Sequence, residues 1–158
     1  MTGEGPRDAD RRKQDTLALL TRPAVDVWVA TAGTGDADAS QPHLVPVSLA
    51  WIDERAVIAV EESSRTARNI AGGGTARLGA GPTHDVVLLD VRLERSLPVP
   101  DPAAHELAER YAAQADWDPR TTGPGYRFLV LRPERIQAWR EADEIPGRTL
   151  MHAGAWLV

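Results

Sequence analysis

The residues best placed to do chemistry lie in one stretch, AVIAVEESSRTARNIAGGGTARL from Ala56. Its pattern predicts a strand over 57–60, a polar turn over 61–64, a short helix over 65–70, a glycine stop at Gly72–Gly74 and another strand. Serines and arginines where a strand feeds a helix suit an anion. Unbonded backbone N–H groups and the positive end of the helix dipole face it, and Arg65 and Arg68 can add charge-assisted bonds. The chemistry would be the holding of a phosphate. The same residues also fit an ordinary strand–helix connection capped by Ser63 or Ser64, with solvated arginines. The local sequence leaves both readings open.

Other chemistries find little footing. Of the four histidines (His43, His84, His105 and His152) none stands four residues from another, and there is no cysteine, so neither a metal site nor a thiol nucleophile is expected. No G-x-S-x-G elbow occurs, and Ser48 falls in a strand, which argues against a serine hydrolase. Glu61-Glu62 and Glu141–Glu144 read as solvated strand ends rather than a glycosidase pair. Gly72-Gly73-Gly74 closes a helix instead of opening one, so it is neither a Walker loop nor a dinucleotide fingerprint. Five tryptophans stand beside one phenylalanine and two tyrosines, and an indole can stack on a planar cofactor. Trp28 and Trp51, in strands, are expected in the core.

The elements that must position these residues follow from pattern. The 158 residues suit one domain with a real core, taken as 11–158 behind a polar, unstructured tail over 1–10. Net charge is −5, which disfavours nucleic acid as a partner. No run approaches the roughly 18 apolar residues of a membrane span, so no membrane partner is expected. The opening MTGEGPRDADRRKQD lacks the apolar core of a signal peptide, so a cytoplasmic location is expected.

A short helix is predicted over Arg11–Leu20, then a strand over Val25–Thr31 and a loop, AGTGDADASQ. Pro42–Ile52 and Ala56–Val60 form a hairpin through Asp53-Glu54-Arg55, and Pro46 requires an edge or a bulge in the first of them. Ala76–Gly79 and Asp85–Glu94 are further strands, and a proline-rich link follows over Ser96–Pro100. A helix over Pro102–Gln114, with Asp101 as its cap, leads to a last long strand over Tyr126–Trp139. Six strands, mostly in hairpins, with two or three short helices inserted predict a mainly β (α+β) antiparallel barrel, closed or partly closed.

The order VWVAT, loop, PHLVPVSLAW, AVIAV, ESSRTARNI, DVVLLDVRLE, helix, YRFLVLRPERIQAW resembles the split-barrel pyridoxamine 5′-phosphate oxidase-like proteins, and more narrowly their flavin- and deazaflavin-dependent oxidoreductase branch. The closing PGRTLMHAGAW resembles the tail often seen there. The resemblance runs from about Leu17 to Trp156 and rests on order and spacing rather than on any single motif. It implies a six-stranded antiparallel split β-barrel that forms a homodimer, with FMN or the deazaflavin coenzyme F-420 at the subunit interface and hydride transfer to or from a small molecule.

By the same resemblance Ser64, Arg65, Thr66, Arg68 and Asn69 hold the cofactor phosphate. Val45, Pro46, Val47 and Ser48 run beside the ring, Val60 and Glu61 lie next to them, and Trp139 is a further candidate cofactor contact. No catalytic acid or base is implied. Thr66 stands where the family often has a lysine, and the arginine-rich C-terminal segment of pyridoxamine phosphate oxidase itself is missing. Two other functions fit the same barrel. One is a non-catalytic flavin-binding or cofactor-free dimer that serves as carrier, sensor or scaffold. The other is haem binding, for which His43 or His84 would have to be the axial ligand.

Overall fold

The computed structural model describes residues 4–34 and 41–158. Most of the loop expected between the first two strands (residues 35–40) and the first three residues of the expected tail lie outside the described residues. Upstream of the expected Arg11 start the chain is fastened rather than loose. Asp8 caps α1 (Ala9–Leu20) by accepting the Arg11 N–H. Just before the cap, Arg7 donates to Glu144, Asp15 and Asp85.

The strands are β1 (Asp26–Thr31), β2 (His43–Ser48), β3 (Ala50–Ile52), β4 (Arg55–Glu61), β5 (Thr75–Ala80), β6 (Val86–Pro98), β7 (Tyr126–Trp139), β8 (Thr149–His152) and β9 (Ala155–Trp156). Two more helices, α2 (Arg65–Gly73) and α3 (His105–Ala115), are inserted between them. Every pairing is antiparallel, in the order β2-β1-β5-β6-β7-β4-β3, with β8 on β7 and β9 on β8. The expected mainly β architecture is observed, with nine strands among the described residues where six were expected.

Two causes account for the difference. The strand expected over Pro42–Ile52 breaks at Leu49, so β2 pairs with β1 while β3 pairs with β4, at opposite ends of the sheet. The tail adds the β8–β9 hairpin, which turns at Ala153-Gly154. Pro46 lies in β2, the edge strand its missing N–H requires. The β3–β4 turn places Asp53 and Glu54 at φ 51° and 58°, the conformation of a two-residue hairpin turn. β6 runs past Glu94 through most of the proline-rich link, because β7 pairs with it as far as Pro98 opposite Arg127, and bulges absorb the irregularities.

β4 is buried on both faces, which explains an apolar run without alternation. Ala56, Ile58 and Val60 join the barrel interior with Leu20, Leu78, Leu89 and Ile70 of α2. Val57 and Ala59 join a second core under α3, built on Ala104, Ala108, Tyr111 and Phe128. β1 alternates instead, with Val27, Val29 and Thr31 inward. That period turns Trp28 outward, 54 % exposed, which corrects the expectation of a core tryptophan. Trp51 is half-buried against the barrel core.

Candidate functional site

The barrel is split where β2 and β4 diverge. The two are joined by no ladder among the described residues, although they are neighbours in space. The chain crosses from one edge to the other through Leu49, whose N–H donates to the Val25 carbonyl. A groove of about 490 Å³ fills the split. Val45, Pro46, Val47 and Ser48 of β2 form one wall, and Ala59, Val60 and Glu61 of β4 form the other. Ser64, Arg65 and Thr66 close one end of it.

That end is the N-terminus of α2. The chain leaves β4 through a turn in which the Ser64 N–H donates to the Glu61 carbonyl at 3.0 Å. Ser64 Oγ then accepts the Ala67 N–H at 3.1 Å, so Ser64 is the cap. The N–H groups of Arg65 and Thr66 precede the first intrahelical donor, Arg68, whose N–H bonds the Ser64 carbonyl, and they sit at the positive end of the helix dipole. The helix stops at Gly74 in the left-handed region, φ 73°, where its N–H donates to the Ile70 carbonyl. Ala67 and Ile70 bury the opposite face in the barrel and fix the helix against it.

Arg65 is exposed at the groove mouth. Among the described residues no carboxylate pairs with it, whereas Arg55, Arg77, Arg92 and Arg120 each have at least one. Thr66 is 2 % exposed, in the angle between helix and barrel. Glu61 and Glu62 leave acidic groups on the solvent side of the turn.

Arg68, Asn69 and Trp139 are not brought into the groove. Arg68 faces solvent one helical turn further on. Asn69 Nδ2 donates to Thr31 Oγ1 at 3.0 Å and ties α2 to β1. Trp139 ends β7 opposite Val86, with the Arg148 guanidinium 5.3 Å from its ring centroid. The groove meets β7 only at the other end of that strand, where Tyr126 pairs with Glu61.

Tyr126 and Trp117 were not expected among the lining residues, and His43 was expected only as an axial ligand for haem. His43, half-buried at the start of β2, lines the groove, whereas His84 is 81 % exposed in its side chain and hydrogen-bonds Glu141 elsewhere. Tyr126 and Trp117 complete the wall. Tyr126 could have been found from the β4–β7 register, which the sequence does not print. Trp117 arrives from the α3–β7 connection and carries no periodic signal. Beneath them Tyr111 is fully buried, and its hydroxyl donates to the Ser48 carbonyl at 3.1 Å. Burial pushes that phenol well above its ordinary value, so it stays a proton donor.

The arrangement can bind an elongated molecule with an anionic end at α2 and an apolar body between β2 and β4. Among the described residues no cluster of three His, Cys, Asp or Glu could hold a metal ion. No helix there is long and apolar enough to cross a membrane.

No protein-family model and no curated protein sequence matches the chain. Solved structures do match it. An F-420 reductase superposes at TM-score 0.60 with 18 % identity, over 75 % of this chain and 93 % of that one. ChuZ of Campylobacter jejuni superposes at TM-score 0.66 with 12 % identity, over 96 % of this chain and 63 % of that one. A haem-binding protein of Mycobacterium smegmatis superposes at TM-score 0.60 with 20 % identity, over 90 % of this chain and 57 % of that one. This chain therefore spans somewhat more than half of the last two. At these identities the likeness is one of fold, a split β-barrel shared with these structures.

Proposed function

We propose that the groove binds FMN or coenzyme F-420 and that the protein is an oxidoreductase acting on a small molecule. The observation that carries this reading is the joining, in one split, of an apolar slot between β2 and β4 with the capped N-terminus of α2. A phosphorylated tricyclic cofactor needs both. The N–H groups of Arg65 and Thr66 and the Arg65 guanidinium would hold the phosphate. Val45, Val47 and Val60 would exclude water from the ring, and backbone groups of β2 would set its orientation. Once bound, the ring supplies the hydride acceptor or donor, and the protein supplies position and dryness. The shared fold with an F-420 reductase supports the reading.

The site is completed, in this reading, by a second copy of the chain. On the outer face of β1 and β2 lie Trp28, opposite Pro46, and Leu44, opposite Ala30. Trp28 is 54 % exposed on β1, and Leu44 is 59 % exposed on β2, the strand that forms one wall of the groove. Large exposed apolar side chains on one face suit a partner surface.

A second reading rests on His43, which lines the groove and could serve as an axial ligand. The fold shared with a haem-binding protein supports it. One experiment separates the possibilities: titration of the purified protein with FMN, coenzyme F-420 and haemin, followed by absorbance. Saturable binding of either flavin at micromolar concentration, with turnover of a reductant, is the expected outcome. Flavin binding without turnover would assign a carrier or sensor. A Soret band lost in His43→Ala would assign haem, and no binding of either flavin would sink the main reading.

A further inference from the structure

The aromatic residues of this chain are few, and half of them meet along the groove. Tyr111, Trp117, Tyr126 and Phe128 include both tyrosines and the single phenylalanine. Trp117 stands edge-on to Tyr126 at 5.6 Å between centroids and to Tyr111 at 6.2 Å, and Tyr111 tilts onto Phe128 at 5.3 Å. Tyr111 and Phe128 are fully buried. Trp117 and Tyr126 are only half-buried, and both line the groove, so the cluster opens into it.

The cluster spans the groove from the Ser48 end of β2 to the turn that leads into α2, where Tyr126 stands opposite Glu61. β2 begins at His43, opposite Thr31, to which α2 is tied through Asn69. It ends at Ser48, whose carbonyl accepts the Tyr111 hydroxyl. Tyr111 thus anchors the cluster at the Ser48 end of β2, and Tyr126 carries it to the β4 end that feeds α2. The polar handle of Trp117 is already used, because its Nε1–H donates to Thr122 Oγ1 at 3.1 Å. What remains on offer is π surface.

The loop that carries Trp117 is fastened. Asp118 accepts the Arg120 N–H at 3.0 Å and its guanidinium at 2.8 Å, Arg120 also reaches Glu109 at 2.6 Å, and Pro119 is buried. An indole held this firmly loses little entropy when a ring settles on it.

We infer that Trp117, backed by Tyr126 and Tyr111, is the specificity-determining wall of a substrate subsite for a flat, uncharged aromatic molecule, bound beside the cofactor whose phosphate lies at α2. The inference rests on the cofactor reading for the word substrate, but its binding test does not. Calorimetric titration of the purified protein, with and without added flavin, would use 1-naphthol as the flat probe and cyclohexanol as the non-aromatic control. The wild type takes naphthol in preference to cyclohexanol. Trp117→Ala weakens naphthol by about tenfold or more, and Trp117→Phe recovers most of the loss, which also guards against a folding failure. Flavin affinity stays within about twofold across all three proteins.

Equal naphthol affinity in Trp117→Ala and wild type would overturn the inference. So would a parallel loss of flavin affinity, which would assign Trp117 to the cofactor. If neither flavin binds and the naphthol pattern holds, the cofactor reading falls and the aromatic subsite stands. If flavin binds and naphthol does not, the subsite alone falls.

Discussion

An anion at the end of the groove would meet two arginines of unequal use. Arg65, the first residue of α2, lines the groove, and no carboxylate competes for it among the described residues. Arg68 is on the solvent side, three residues along a helix whose first turn is where an anion is felt. Removing a charged hydrogen bond to a bound phosphate costs on the order of 1.5–3 kcal/mol. Arg65→Ala should therefore weaken flavin binding by roughly ten- to a hundredfold, and Arg68→Ala by no more than a few tenths of a kcal/mol, the range of a distant surface charge. Equal dissociation constants for wild type and Arg65→Ala would return Arg65 to plain solvation. Sequence alone could rank these two only loosely, since which face of α2 meets the groove depends on how Ala67 and Ile70 seat the helix in the barrel. Thr66 is similar. Its identity set it apart from the lysine that the resemblance implies, and its burial shows why the position favours a short side chain here.

Between elements, the strongest electrostatic tie is the one that closes the N-terminal segment onto the end of β7. Glu144, 2 % exposed in its side chain, accepts from the Arg7 Nη2 at 2.8 Å and from the Arg7 and Arg140 N–H groups at 2.8 Å each. The hydrogen-bonded Arg7 guanidinium, aided by those two N–H groups, holds the Glu144 carboxyl down at about 2 against an opposing push from burial. A carboxylate depressed on folding stabilises the fold above its unfolded value, and that contribution is lost as pH falls toward its folded value. The window here runs from about 4.5 down to about 2. At 1.36 kcal/mol per pH unit the full contribution is on the order of 3 kcal/mol. Glu144→Gln should flatten the acid limb of a stability–pH curve over that window. A variant whose acid limb overlays the wild type would remove Glu144 from the account of acid stability. The Arg7 contact was invisible in the sequence, because residues 137 apart share no pattern. α2 was legible, from a serine cap to a glycine stop, because its signals are local.

At the scale of the whole molecule, alternation and turn residues were enough to expect an antiparallel β protein with edge strand β2 and a long strand over Tyr126–Trp139. They could not show that Leu49 sends one continuous apolar segment to both edges of the sheet, and that break is what makes the split. Nor did a run of strand residues reveal that Trp28 faces out, since VDVWVAT fixes the period but not its phase. The outward phase carries the last prediction. Trp28 and Leu44 sit on β1 and on β2, the wall strand that β1 backs, and water is a poor final neighbour for both. A second copy covering this face would bury them and shield the open side of the site. Sedimentation equilibrium should then give about twice the 17.1 kDa of one chain. Leu44→Asp and Trp28→Asp, which place a carboxylate in that contact, should each shift the mass toward a single chain and weaken flavin binding together, because the site loses its cover. A wild-type chain that sediments at 17.1 kDa and still binds flavin would take the second copy out of the site and leave the groove to work alone.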